Sequence, residues 1–373
     1  MLYLRAMGRG FCSLGAMEDG FSRNCREKLF LQMCRKGENM LNNEIKARNI
    51  CTAFLVLVVA FFLTTGCSPE EASRQADGGY QVTDDKGTVV DFAERPKRIV
   101  SMTLSTDNIL LGLVEPERMV CANKLVDDPV SSNVAELGRN IPNKVRHPKV
   151  EEILAMEPDL VIASDWGDID YVDSLRNMGI RVVVVKGPKN LQDVRDNITL
   201  IAKAAGEPQR GEKLISMMDE KLQKIKAETD KIPQEKRKRV LLLSLMSNYG
   251  GKDCIFDDAC QWAGVTNCLS EYGLKRGDKV TKEMMVQMDP DIIFLPTYTA
   301  HGTFDNQAFR DKYLKDPALQ QMRAIQTGNI KEPRDSYIYT ASQDFCFAVQ
   351  EIAYVVYGDD FRLEDQQHLS AVE

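Results

Sequence analysis

The side chains best suited to metal chemistry gather in one stretch of this 373-residue chain: Asp253, Cys254, Asp257, Asp258, Cys260 and Cys268. Zinc sites favour cysteines paired at CxxC spacing, with histidine partners. Cys254, Cys260 and Cys268 keep no such spacing, and the histidines are three: His147, His301 and His368. No HExxH, Walker A loop or GxSxG elbow occurs. These residues argue for binding rather than turnover. A metal-dependent enzyme or metal chaperone using the Cys254/Cys260/Cys268 region stays as the alternative. Binding chemistry falls to aromatics and cations. Trp166, Tyr249, Tyr298, Tyr337 and Tyr339 suit a large, flat or partly apolar ligand. Lys124, Arg146, Lys252 and Arg276 suit anionic groups on it.

Several of these residues come just after apolar runs: Trp166 after LVIAS, Tyr298 after IIFLPT, Tyr249 after LLLSLMSN. The elements that carry them recur. Residues 151–163, EEILAMEPDLVIA, read as a short helix, a proline stop and a buried strand. Residues 283–295, EMMVQMDPDIIFL, repeat the unit. Aligning Pro158 with Pro290 sets Glu151 on Glu283, Met156 on Met288 and Asp159 on Asp291. A second echo pairs KRIVSMTLS at 97–105 with KRVLLLSLMS at 238–247. Two echoes in one order predict two α/β lobes of similar plan, with sites at the carboxyl ends of parallel strands.

The chain length suits two domains. Hydrophobic content of 43% and charged content of 28% are ordinary for a folded chain with large cores. Net charge is −7. The first 66 residues are basic, leaving 39 basic and 50 acidic residues beyond them. That balance excludes nucleic acid as a partner of choice. Ten cysteines divide into four before residue 52, Cys67, and five others whose pairing stays open.

Residues 50–63, ICTAFLVLVVAFFL, follow Lys46 and Arg48 and run into Thr64-Thr65-Gly66-Cys67. A basic flank, a short apolar core and small residues read as an export signal. Its end resembles the bacterial lipoprotein cleavage motif, so Cys67 is the expected lipidation site. The polar SPEEASRQADGG that follows reads as a tether. Met40 gives the signal an ordinary length, so residues 1–39 are expected to be an upstream extension without a fold. The expected domains are the signal at 40–66, a tether at 67–79, lobe one with its leading hairpin at 80–206, a long helix at 207–233, lobe two at 234–361 and a frayed tail at 362–373.

In order and spacing, YQVTDDKGTVVDFAERPKRIVSM, VEEILAMEPDLVIAS, LRNMGIRVVVV, IFDDACQWAGVTN, VTKEMMVQMDPDIIFL and MRAIQTGNI resemble the substrate-binding lipoproteins of ABC importers for iron–siderophore, haem and cobalamin. The resemblance covers about residues 80–361. It implies an α/β fold of two Rossmann-like lobes joined by a single long bridging helix, with the ligand cleft between them. It implies a non-enzymatic protein, without a resident cofactor, that captures an iron–siderophore or a related tetrapyrrole. Cobalamin or haem on the same scaffold is the alternative, with His147 and His301 as axial candidates. The partners would be an ABC permease with its ATPase, and the membrane through a lipid anchor on the outer side of the cytoplasmic membrane. In that family an acidic residue opening a helix in each lobe meets permease arginines; the matching positions are Glu151 and Glu283. The ligand-binding set is then Trp166, Tyr249, Tyr298, Tyr339, Lys124 and Arg146. A single long bridging helix implies modest closure on ligand.

Overall fold

The computed structural model describes residues 79–246, 249–298 and 303–372. The expectations for the upstream extension, the export signal, Cys67, most of the tether and His301 fall outside the described residues. Val82, Val90 and Phe92 are buried while their neighbours face outward, so the alternation of residues 80–92 yields a hairpin. Strands β1 (Tyr80–Thr83) and β2 (Val89–Phe92) pair antiparallel, with Tyr80 opposite Phe92 and their rings stacked at 4.9 Å. Asp84 shapes the turn by accepting from the backbone N–H groups of Lys86 and Thr88.

Lobe one is a five-stranded parallel sheet made of β3 (Ile99–Ser101), β4 (Met119–Asn123), β5 (Asn143–Val145), β6 (Leu160–Ser164) and β7 (Val182–Val185). The spatial order is β5-β4-β3-β6-β7. Lobe two is parallel as well, with β8 (Arg239–Leu242), β9 (Thr266–Asn267), β10 (Ile292–Phe294) and β11 (Ile330–Lys331) in the order β11-β10-β8-β9. In each lobe the first strand lies between the second and a later one. Both sheets therefore reverse direction beside that first strand, where a doubly wound sheet opens a crevice.

The internal echo is structural. Asp159 accepts the backbone N–H groups of Lys97 and Arg98 at 2.6 and 2.9 Å, fastening β6 to β3. Asp291 accepts from the N–H of Arg239 at 2.9 Å, fastening β10 to β8. Arg98 returns a bond to the carbonyl of Glu157, and Arg239 to that of Asp289. Glu157 and Asp289, each before the repeated proline, both adopt left-handed backbone, with φ of 47° and 37°. The left-handed turn ends each short helix and aims the chain into its strand.

The bridging helix is Pro208–Thr229, shorter than the expected 207–233; residues 230–233 form the exit turn. Pro208 opens it, where a missing N–H costs nothing. Leu214, Met218, Leu222 and Ile225 form its buried stripe. The helix lies against Leu191–Ala204 of lobe one and Phe345–Tyr357 of lobe two. A second fastening crosses directly: the N–H of Leu191 donates to Asp258 of lobe two at 2.8 Å.

Residues 362–372 are no frayed tail. Leu363 and Ala371 are buried, and polar groups along the segment bond to both lobes. The expectation failed because the segment is held by hydrogen bonds rather than by an apolar stripe.

Candidate functional site

Lys124 follows β4, Arg146 follows β5 and Tyr298 lies just past β10, so all three sit at carboxyl ends of parallel strands. They meet. Lys124, Leu125, Asp127, Lys144 and Arg146 of lobe one, with Tyr298 and Thr303 of lobe two, line a cleft of about 380 Å³. Lys144 and Arg146 stand two apart where the chain is extended, which turns both to one side. Lys144 Nζ lies 3.5 Å from Asp127 Oδ2 and donates to the carbonyl of Ile141 at 2.9 Å. Three cations against one carboxylate make this wall positive on an acidic chain.

Asp127 was missed from sequence. Lys144 carries a signal in the K-V-R alternation. Asp127 sits in an irregular stretch after a strand that was itself not foreseen.

Tyr298 is held from behind. Buried Asp335 accepts the N–H groups of Thr297 and Tyr298 at 3.1 and 3.0 Å. Burial pushes its carboxyl up to about 6, against the pull of those bonds. An unfolded aspartate ionises near 4. Between these values the folded chain holds the extra proton, so this group's contribution to stability falls as pH rises from about 4 to about 6. Asp335→Asn is expected to flatten the pH dependence of urea midpoints across that window, a change of about 1–3 kcal/mol. An unchanged slope would mean that the carboxyl titrates normally.

Trp166 follows β6 and is 57% exposed. Its ring lies on the backbone of Gly187, where any Cβ would collide with the indole nitrogen. The guanidinium of Arg276, from lobe two, sits 4.8 Å from the Trp166 ring centroid. This contact spans the two lobes and is worth about 0.5–1 kcal/mol at an exposed site. Arg276→Ala should therefore change Trp166 emission without ligand, and Trp166→Phe should remove most of any ligand-induced change. Trp262, half-buried beside Lys226 and the bridging helix, is the control. A ligand signal that survives in Trp166→Phe would take Trp166 out of the site.

The remaining tyrosines go elsewhere. Tyr249 and Tyr339 pack on one another at 5.1 Å between ring centroids, against the core. The Tyr339 hydroxyl bonds Ser244 at 3.0 Å, and burial raises the pKa of both phenols. Neither is among the residues lining the cleft. Tyr337 is 1% exposed and belongs to the core. Lys252 is exposed, and its backbone pairs with the 274–276 segment. His147 is exposed at the surface, with left-handed backbone.

Glu151 and Glu283 both lie exposed in the first turn of a short helix, Val150–Leu154 and Lys282–Met288. The equivalent buried contacts of those helices are Ile153 and Met285.

The cysteine-rich stretch is core. Cys121, Cys254, Cys260, Cys268 and Cys346 are all buried and unpaired. Burial pushes the Cys268 thiol up to about 12 and raises Cys254 and Cys260 too. Among the described residues no three His, Cys, Asp or Glu side chains converge to hold a metal ion. In Ile255–Trp262, Cys260 and Ala259 face inward as packing.

The family described as periplasmic binding protein matches residues 99–337. The chain is 24% identical to the probable siderophore-binding lipoprotein YfiY of Bacillus subtilis, over 77% of this chain and 91% of that protein. It is 26% identical to the putative ABC transporter substrate-binding lipoprotein YhfQ of the same organism, over 74% and 88%. Among solved structures, the periplasmic heme-binding protein RhuT of Roseiflexus sp. RS-1 aligns with a TM-score of 0.61 at 22% identity, covering 70% of this chain and 98% of that one. An ABC-type Fe3+-hydroxamate transport system protein of Saccharomonospora viridis aligns at 0.57 and 20%, covering 75% and 99%. These structural likenesses support the two-lobed fold.

Proposed function

The chain belongs to the periplasmic binding protein family, and from that premise we propose that it is the extracytoplasmic solute-binding component of an ABC importer, capturing an anionic iron complex of siderophore type. The observation that carries the ligand class is the positive cleft wall of Lys124, Lys144 and Arg146 facing Tyr298 across the lobes. Cations placed by strand ends meet the carboxylate or catecholate oxygens of a ferric chelate, and the tyrosine meets its apolar body. Relatives named as siderophore-binding and ABC substrate-binding lipoproteins support the same reading. Glu151 and Glu283 are the docking charges for the permease, one on each lobe, and Cys67 is the site of lipid attachment. Among the described residues no helix is long and apolar enough to cross a membrane.

The test is a titration of the purified protein with ferric siderophores, haem and cobalamin, followed by native mass spectrometry. Stoichiometric retention of an anionic ferric chelate is expected. Retention of cobalamin or haem alone would replace the ligand class and leave the transport role standing.

A further inference from the structure

Residues 362–372 grip both lobes. On lobe two, the N–H of Leu369 donates to buried Asp344 at 2.8 Å, and His368 Nδ1 bonds the other carboxylate oxygen at 2.7 Å. The N–H of Gln367 donates to the Tyr337 hydroxyl at 2.8 Å. On lobe one, Asn133 donates to the carbonyl of Gln367 at 2.8 Å and also to Asp344 at 2.8 Å. Gln366 accepts from the N–H of Ala135 at 3.1 Å and donates to the carbonyl of Ser132 at 3.3 Å. The N–H of Ala371 donates to the carbonyl of Gly112 at 2.8 Å. No side chain fits at Gly112, where a Cβ would lie 2.9 Å from the Leu369 carbonyl oxygen. Gln366 itself has a φ of 55°, a strained backbone that persists only where its surroundings hold it.

The gripped residues 132–135 end the loop that begins at Lys124. Hydrogen bonds run back along it without a gap. The N–H of Ser132 donates to the carbonyl of Asp128, the N–H of Asp128 to that of Leu125, and the N–H of Leu125 to the Asn123 side chain. Lys124, Leu125 and Asp127 line the cleft.

We propose that residues 362–372 act as a positioning strap that fixes the 124–135 loop against lobe two, and so sets the shape of the cleft wall. His368 and Gln366 are its positioning residues; neither lines the cleft. The consequence for ligand affinity rests on the reading of the cleft given above, whereas the strap itself does not.

Hydrogen exchange on the full chain tests the strap without any ligand. Gln366→Ala and His368→Ala are expected to speed exchange of the 124–135 amides about tenfold while β3 and β6 keep their protection. His368→Asn, which retains a donor where Nδ1 stood, should restore the slow exchange. The same two alanine variants should weaken binding of the ferric tris-complex of 2,3-dihydroxybenzoate about tenfold, with the asparagine variant rescued. Unchanged exchange at 124–135 in both alanine variants would overturn the proposal. So would equal acceleration throughout the chain, since the segment would then be general core. If the parent protein does not bind the ferric probe, the exchange result still decides the strap, and the ligand class alone is refuted.

Discussion

Reversing Lys124 and Arg146 together to glutamate is expected to reduce affinity for an anionic ferric chelate on the order of a thousandfold at low salt. The estimate follows from hydrogen bonds to charged groups, worth about 1.5–3 kcal/mol each, lost at two positions. Both side chains are exposed where their strands end, so thermal stability should move little. Reversal adds repulsion to the loss, and the remaining Lys144 is already engaged by Asp127. The parent protein should bind less tightly as salt rises, and the double variant should lose most of that salt dependence. Calorimetric titration at two ionic strengths measures both quantities. Affinity that survives reversal would show that the ligand is held elsewhere in the crevice.

Glu151→Arg combined with Glu283→Arg is expected to leave the ligand dissociation constant within about twofold and to cut uptake on the order of 10–100-fold. The two carboxylates open equivalent helices on the two lobes, and neither lines the cleft. Thr281 caps the second helix by accepting from the N–H of Met284. Each single variant should give an intermediate defect, because the two contacts are separate. Whole-cell uptake of the radiolabelled chelate, beside titration of the purified variants, makes the distinction. Normal transport by the double variant would dismiss these residues as the docking pair.

The repeat was legible because it is written in residues that cannot be exchanged freely. Pro158 and Pro290 stop helices, and Asp159 and Asp291 fasten strands, so both leave a fixed mark at a fixed offset. The bridging helix was legible from its stripe of Leu214, Met218, Leu222 and Ile225. Strands β4 and β5 were not foreseen. Met119–Asn123 emerges from a tight turn at Pro116–Arg118, and Asn143–Val145 is a three-residue, half-exposed edge strand without an apolar run. The cleft residues depend on those strands, so Lys124 and Arg146 were named for their charge while Asp127 went unnamed. Tyr249 and Tyr339 show the reverse case. An aromatic after a strand is visible in sequence, but the side to which it turns is fixed by Phe256 and Ser244, which tertiary packing supplies. The strap was illegible because QQHLSAV looks solvated; its polar groups find partners only once both lobes are present.

The five buried thiols among the described residues give the molecule a set of internal clocks. They are sealed at separate elements of the two lobes: Cys121 in β4, Cys254 and Cys260 together at the helix Ile255–Trp262, Cys268 just past β9, and Cys346 in the closing helix Phe345–Tyr357. A thiol held protonated and out of solvent reacts with an alkylating reagent only while its neighbourhood is open. Labelling read peptide by peptide therefore times the breathing of each lobe separately, with no residue introduced for the purpose. Cys121 reports on lobe one, Cys268 on lobe two, and Cys346 on the helix that follows Asp344.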